Sequence, residues 1–372
     1  MMAQRSDFGT KPQWVLALRS GRGDGSRRVG GLALTLRLAL DAQAAGAHAV
    51  VVETAEQRQR LADPRLRIAV LDTVPEEAAR LSVADDYVMP RQWFKLAADA
   101  GLPEAGQTRD LEQDPPTDPV PYGFEPLHVT DGESARRAER SLFRALRKPQ
   151  DGWTSRYLNR YISLAISRVL VRTPLRPNQV SVGILAVGIL GAVCASRGDY
   201  LSLLVGASLF QAQSVLDGCD GEMSRMTHRG SLLGQWLDTV GDDLTNYGFF
   251  GGAAWGLYHS TGHFAYLLAG AVTISCGVLA SGIEYRYLIR IGSGDLLQYP
   301  LSAQSSAADA GLYGKIAPLF KRDTFVFLTW VAALLSWVGP MLFVFAAGAV
   351  GVLIGVLKTE AMMARERRGS AS

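Results

Sequence analysis

Four aspartates set the chemical problem. Asp217, Asp220, Asp238 and Asp242 lie in LDGCDGEMSRMTHRGSLLGQWLDTVGDD, at spacings of three, eighteen and four, inside a hydrophobic half-chain. A spacing of three or four puts two side chains on one helix face. The stretch therefore presents two acid pairs on consecutive helices joined by a short basic loop. Acids inside membrane helices are costly and rarely kept without a function. Four clustered carboxylates repel one another strongly in a low dielectric, so either some hold protons or divalent cations neutralise them. Oxygen ligands without His or Cys favour Mg²⁺, Mn²⁺ or Ca²⁺ over zinc. Hard ions beside Arg225 point to a phosphorylated substrate gripped at a pyrophosphate. Gly218, Gly221 and Gly234 among the acids allow close approach by a ligand or by a neighbouring helix. An ion-coupled membrane transporter is the rival use of such acids. A catalytically silent interaction protein would carry four unliganded carboxylates to no benefit.

The elements that must position these residues are apolar. The chain has 372 residues and a net charge of +3, which gives no basic footprint for nucleic acid. Three widely spaced cysteines, Cys194, Cys219 and Cys276, fit neither a disulfide framework nor a zinc site. The N-terminus MMAQRSDFGTKPQ lacks the apolar core of a signal peptide. Uncharged or nearly uncharged runs then suggest six transmembrane helices: 178–196, 200–216, 231–258 with Asp238 and Asp242 in its first half, 264–283, and the run 324–357 divided at Gly339-Pro340. Before them, 151–179 alternates Arg156, Arg160, Arg168, Arg172 and Arg176 with apolar residues, the pattern of an interfacial helix. Basic residues sort to one side: that helix, Arg225 and Arg229, Arg286, Arg290, Lys315, Lys321 and Arg322, and the tail with Arg365, Arg367 and Arg368. By the positive-inside rule both termini are cytoplasmic, which places the chain in the cell inner membrane.

Ahead of the membrane half, residues 1–109 read as a small soluble α/β domain. WVLAL (14–18), AVVVE (49–53) and RIAVLD (67–72) are expected strands, with a helix ending at Gly46 between the first two. Strand–helix–strand order predicts a parallel sheet. Residues 110–150 are expected to form a Pro- and acid-rich linker and a basic amphipathic helix, and 151–372 the membrane domain. The fold class is thus membrane all-α with a soluble α/β domain in front. Asp85-Asp86 could bind metal, but a lone acid pair in a loop is expected to be solvated.

Asp217-x2-Asp220-Gly221-x2-Ser224-Arg225-x8-Gly234-x3-Asp238-x3-Asp242 resembles the signature of the CDP-alcohol phosphotransferases, departing only at Ser224, where the family has Ala. The six-span layout is similar too. The resemblance implies transfer of a phosphoalcohol group from a CDP-alcohol to an acceptor alcohol, with release of CMP. It implies Asp217, Asp220, Asp238 and Asp242 as ligands of two Mg²⁺ or Mn²⁺ ions. Asp242 would also be the general base. Asp217, Gly221, Ser224, Arg225 and Gly234 would line the CDP site. Membrane lipid surrounds such proteins, and homodimers are usual. LRKPQDGWTSRYLNRYISLAISR and TPLRPNQVSV resemble the membrane half of bifunctional inositol-phosphate cytidylyltransferase/di-inositol-phosphate-phosphate synthases. That narrower likeness suggests a phosphoalcohol acceptor such as inositol phosphate, with Arg286 and Arg322 as its cationic partners. Arg156 and Arg160 are expected to contact headgroups. The loop SGRGDGSRR matches a nucleotidyltransferase loop in glycine and arginine, but no Lys-Pro follows it. The resemblance therefore implies a degenerate N-terminal domain.

Overall fold

The computed structural model describes residues 14–116, 123–147, 151–301 and 321–369. Lys315 and residues 117–122 of the Pro-rich stretch lie outside them, and so do the side chains of Arg367 and Arg368. The chain divides into two compact units, Met1–Lys148 with Met226–His228, and Pro149–Arg225 with Arg229–Ser372.

In the first unit the strand–helix–strand pattern builds a parallel sheet. Its strands in chain order are β1 (Trp14–Arg19), β2 (Arg28–Val29), β3 (Leu32–Ala33), β4 (Ala49–Val52), β5 (Ala69–Leu71), β6 (Ala79–Ala84), β7 (Tyr87–Val88), β8 (Thr108–Asp110) and β9 (Leu127–His128). Five of them form a sheet in the order β5-β4-β1-β6-β8, every pair parallel, with Leu16 in register with Val50 on one side and Leu81 on the other. β2–β3 and β7–β9 are short antiparallel pairs. The central strands are apolar on both faces because helices cover both sides of such a sheet. The helices of this unit are α1 (Leu34–Ala44), α2 (Ala55–Arg60), α3 (Gln92–Asp99) and α4 (Gly132–Arg144). Gly46, at φ 94, follows the end of α1. Thr54 and Asp131 each cap a helix by accepting from the backbone N–H three residues on.

The direction of strand order reverses between β1 and β6. In open parallel sheets such a point leaves a crevice at the carboxyl ends of the strands. The glycine loop leaves β1 there, and Asp85-Asp86 leaves β6. The sequence reading of a solvated acid pair is corrected: Asp85 and Asp86 are 4% and 0% exposed. Asp85 Oδ1 accepts the Gly21 amide at 3.0 Å, and Asp86 Oδ2 accepts the Gly23 amide at 2.6 Å.

The second unit is helical. A π-helical turn (Ser155–Asn159) leads into α5 (Arg160–Leu170), followed by α6 (Pro177–Ala195), α7 (Tyr200–Leu216), α8 (Gly218–Thr227), α9 (Leu232–Thr261), α10 (Phe264–Ile291), α11 (Arg322–Leu334) and α12 (Val338–Gly369). Three of them, α6, α10 and α12 up to Glu366, are long and apolar enough to cross a membrane by length and composition. The other expected spans are helices too. However, α7 has 17 residues and α11 has 13, fewer than the roughly 20 that cross a bilayer core, and α9 carries the acids. The expected division of the last apolar run at Gly339-Pro340 is also corrected. The helix breaks at Leu335–Trp337, where Ser336 takes φ 60. Pro340 falls in the first turn of α12, where no helical partner exists for an N–H, so its ring is tolerated.

Small residues let the bundle close. A Cβ added to Gly191 on α6 would stand 3.0 Å from the Gly206 carbonyl oxygen on α7, and one added to Gly206 would stand 2.7 Å from the Gly191 oxygen. Such backbone approach is what glycine permits between membrane helices. Beside this crossing, Phe210 stacks on Phe249 with ring centroids 4.6 Å apart, joining α7 to α9.

Candidate active site

Asp217 occupies the joint between α7 and α8, Asp220 the first turn of α8, and Asp238 and Asp242 the first half of α9. Asp217 and Asp242 face one cation, with carboxylate oxygens 3.7 Å and 2.9 Å from Arg322 Nη1, and Asp238 is within electrostatic reach of Asp242. Asp220 is within electrostatic reach of Asp217, yet its oxygens are turned to Ser181 on α6, whose hydroxyl donates to it, and to the Gly221 amide at 2.5 Å. Among the described residues, no three His, Cys, Asp or Glu side chains converge at one point closely enough to hold an ion. The fold thus brings out one pair that shares a cation, with two flanking carboxylates.

The cation stands at this pair. Arg322, the first residue of α11, places Nη1 2.9 Å from Asp242 Oδ1 and 3.7 Å from Asp217 Oδ2. Its Nη2 donates to Gln213 Oε1 at 2.7 Å and to Thr245 Oγ1 at 3.3 Å, and its Nε to Asn246 Oδ1 at 3.2 Å. Gln213 Nε2 in turn donates to Asp242 Oδ1 at 3.4 Å. Arg286, the other cation singled out in the sequence, lies elsewhere. Its exposed side chain pairs with Glu360 at 3.1 Å and forms no hydrogen bond or ion pair with the four aspartates among the described residues.

α8 carries the phosphate-facing candidates. Arg225 is within electrostatic reach of Asp220, and its Nε is buried without a hydrogen-bond partner among the described residues. A Cβ on Gly221 would come 3.1 Å from Arg225 Nη1, so glycine leaves the guanidinium room. Ser224 lies beside Gly230, whose added Cβ would stand 3.0 Å from the Ser224 hydroxyl. Gly234 sits in the first turn of α9, donating its amide to the capping Ser231 hydroxyl at 3.0 Å. A Cβ there would strike Asn178 Oδ1 at 2.8 Å.

Sequence reasoning missed what fixes α8. Glu222 is fully buried and accepts from Arg160 Nη1 at 2.8 Å, Ser163 Oγ at 2.8 Å and Ser167 Oγ at 2.6 Å. Arg160 also forks onto Asp151 with two contacts of 2.9 Å. Burial opposes the charge on Arg160, but the hydrogen bonds and attraction of Asp151 and Glu222 outweigh it and hold its pKa above the ordinary arginine value. The expected headgroup contact is therefore corrected: Arg160 is an internal tie. Glu222 stood in the quoted acidic stretch, but its spacing pairs with no other acid there, so periodicity gave no sign of it. Asp243, next to Asp242, was also passed over. It accepts from Tyr285 at 2.6 Å and Ser281 at 2.5 Å, joining α9 to α10.

No protein-family model matches the chain. Curated relatives do. The bifunctional IPC transferase and DIPP synthase of Archaeoglobus fulgidus is 29% identical over 284 residues, 71% of this chain and 52% of that one. The protein of the same name from Aquifex aeolicus is 29% identical over 225 residues, 60% and 48% of the two chains. The one from Thermococcus kodakarensis is 38% identical over 122 residues, 32% and 27%. The chain is similar to these synthases over much of its length. It spans about half the length of the first two relatives. A solved phosphatidylinositol phosphate synthase from Mycobacterium tuberculosis, with CDP-DAG bound, aligns over 54% of this chain and 93% of that one at a TM-score of 0.40 and 19% identity.

The chemistry of the donor set, though not the present spacing of its side chains, suits a hard divalent cation. All four candidate ligands are carboxylates, the oxygen donors that hard cations select. The Asp217–Asp242 pair concentrates negative charge that a single guanidinium does not balance. The nearby thiol of Cys219 is buried and directed to the Ser163 carbonyl oxygen, so it adds no soft ligand.

Proposed function

We propose that this chain is an integral-membrane CDP-alcohol phosphotransferase, moving a phosphoalcohol group from a CDP-alcohol to an acceptor alcohol with release of CMP. The observation that carries the reading is the convergence of Asp217 from the α7–α8 joint and Asp242 from α9 on the guanidinium of Arg322. Asp217, Asp220, Asp238 and Asp242 are the residues to hold Mg²⁺ or Mn²⁺, two ions in all. Bound there, the ions supply neutralisation of the donor pyrophosphate and of the leaving CMP. Arg225, with its unpartnered buried Nε, is suited to a donor phosphate, with Gly221 and Ser224 leaving space and Gly234 setting the start of α9. Asp242 takes the proton from the acceptor hydroxyl as its oxygen bonds to phosphorus and the phosphorus–oxygen bond to CMP breaks. Arg322 is placed to meet a phosphorylated acceptor such as inositol phosphate. Arg286 is the weaker candidate for that role, since Glu360 already engages it.

The helices α6, α7, α9, α10, α11 and α12 belong to the membrane domain in this reading, with α5 at the interface and the termini cytoplasmic in the inner membrane. Residues 1–109 form the soluble domain, 110–150 the connection and 151–372 the membrane domain, and the protein works as a homodimer. The soluble domain does not make the CDP-alcohol, because its own carboxylates occupy loop amides that would otherwise face phosphate. The deciding experiment incubates the purified chain with CDP-inositol or CDP-diacylglycerol, each with inositol phosphate or glycerol phosphate. CMP release and a product of the joined mass are expected from one pairing. No CMP from any pairing, with either metal, would sink the proposal.

A further inference from the structure

We infer that Arg322 is a built-in competitor for the cation site: its guanidinium holds the carboxylates of Asp242 and Asp217, and a divalent ion gains them only as Arg322 lets go. The inference rests on reading these aspartates as metal ligands, and it adds an order to the filling of the site.

Arg322 is poorly placed for any simpler role. It is the first residue of α11, where the positive end of the helix dipole disfavours a cation. Its side chain is only 19% exposed, so it is not an anchor reaching for headgroups. Five polar groups surround it instead, and they divide into two kinds. Asp242 and Asp217 are charged and are the oxygens a hard cation would take. Gln213, Thr245 and Asn246 are neutral and hold Nη2 and Nε from the other side. A guanidinium and a divalent cation cannot share the same two carboxylates without strong like-charge repulsion. When the ion wins, the neutral cradle keeps the guanidinium close, with Nη1 free for an anion. The phosphate of a phosphorylated acceptor is the group of matching charge and geometry. Loading of the cation site thus prepares the phosphate site, a coupling between two ligands through one side chain.

Mn²⁺ binding, read from the free-ion paramagnetic resonance signal, tests this without turnover. Full-length wild type, Arg322→Gln and Arg322→Lys are compared in the same detergent. Arg322→Gln should bind Mn²⁺ about tenfold more tightly than wild type, within the usual range of such couplings, and Arg322→Lys should stay near wild type because it keeps the charge. Equal affinity in wild type and Arg322→Gln overturns the inference alone. No Mn²⁺ binding by any of the three overturns both the inference and the metal reading beneath it. A second measurement needs no variant: phenylglyoxal labelling of wild-type Arg322, followed by mass spectrometry. Labelling should be slow in EDTA and several-fold faster in saturating Mn²⁺; equal rates overturn the inference.

Discussion

Glu222 and Arg160 meet at 2.8 Å with the carboxylate fully buried. Ser163 and Ser167 satisfy the rest of that carboxylate from the same face of α5. The tie fixes α5 to α8, and α8 carries Asp220 and Arg225. Removing one partner of a buried ion pair strands the other and costs about 3–5 kcal/mol. Glu222→Ala should therefore lower the melting temperature of the purified protein and abolish transfer, while Glu222→Gln, which keeps the shape and loses the charge, should fall between. A melting temperature for Glu222→Ala equal to wild type would show that the tie has no structural weight.

Asp242 is the proposed base, and its loss should act on chemistry more than on folding. Asp242→Asn is expected to lower CMP release by at least about 10²-fold, the usual contribution of a positioned base, while the protein still purifies as a folded species. EDTA should stop turnover of the wild type, and Mg²⁺ or Mn²⁺ should restore it. CMP release that continues at full rate in EDTA would contradict the role given to the aspartates.

Gly191 and Gly206 mark a close backbone approach of α6 and α7. Gly191→Ala puts a methyl group 3.0 Å from a carbonyl oxygen that sits on a packed helix, an overpacking expected to cost about 1–3 kcal/mol. Gly183→Ala is the control, because a Cβ there meets nothing within 4 Å. It should be neutral or stabilise by up to about 1 kcal/mol through helix propensity. Equal melting temperatures for the two variants would count against the close crossing.

The glycine loop of the first unit should not bind nucleotide. Asp85 and Asp86 hold the Gly21 and Gly23 amides, and His128 Nε2 lies 2.7 Å from Asp86 Oδ2. Full-length protein given CTP, Mg²⁺ and inositol 1-phosphate should release no pyrophosphate. Release above background would show that the carboxylates yield to the nucleotide and that this unit is an active cytidylyltransferase.

Much of this architecture could be read along the chain. β1, β4 and β5 overlap the three expected strands, and Gly46 marks the end of α1 as expected. The apolar runs became helices because they are uncharged and long, which is a local property. The break near residue 336 was misplaced because Pro340 is a strong signal for a break but is harmless in a first turn. Arg160 was misassigned because an arginine in an amphipathic pattern says nothing of an acid 62 residues away in sequence. The burial of Asp85 and Asp86 is not legible along the chain, because it depends on a loop that leaves a different strand.

Residue type and spacing alone determined the acid motif, the apolar helices and the parallel sheet, since each depends on periods of two to four residues and on composition. Tertiary structure decided the partners. It set Arg322 between Asp217 and Asp242, turned Asp220 toward Ser181, and sent Arg286 to Glu360. Those pairings join helices far apart in the chain. A charge finds its partner by where the helices cross, and crossing is fixed by packing at sites such as Gly191 and Gly206, which no local pattern encodes.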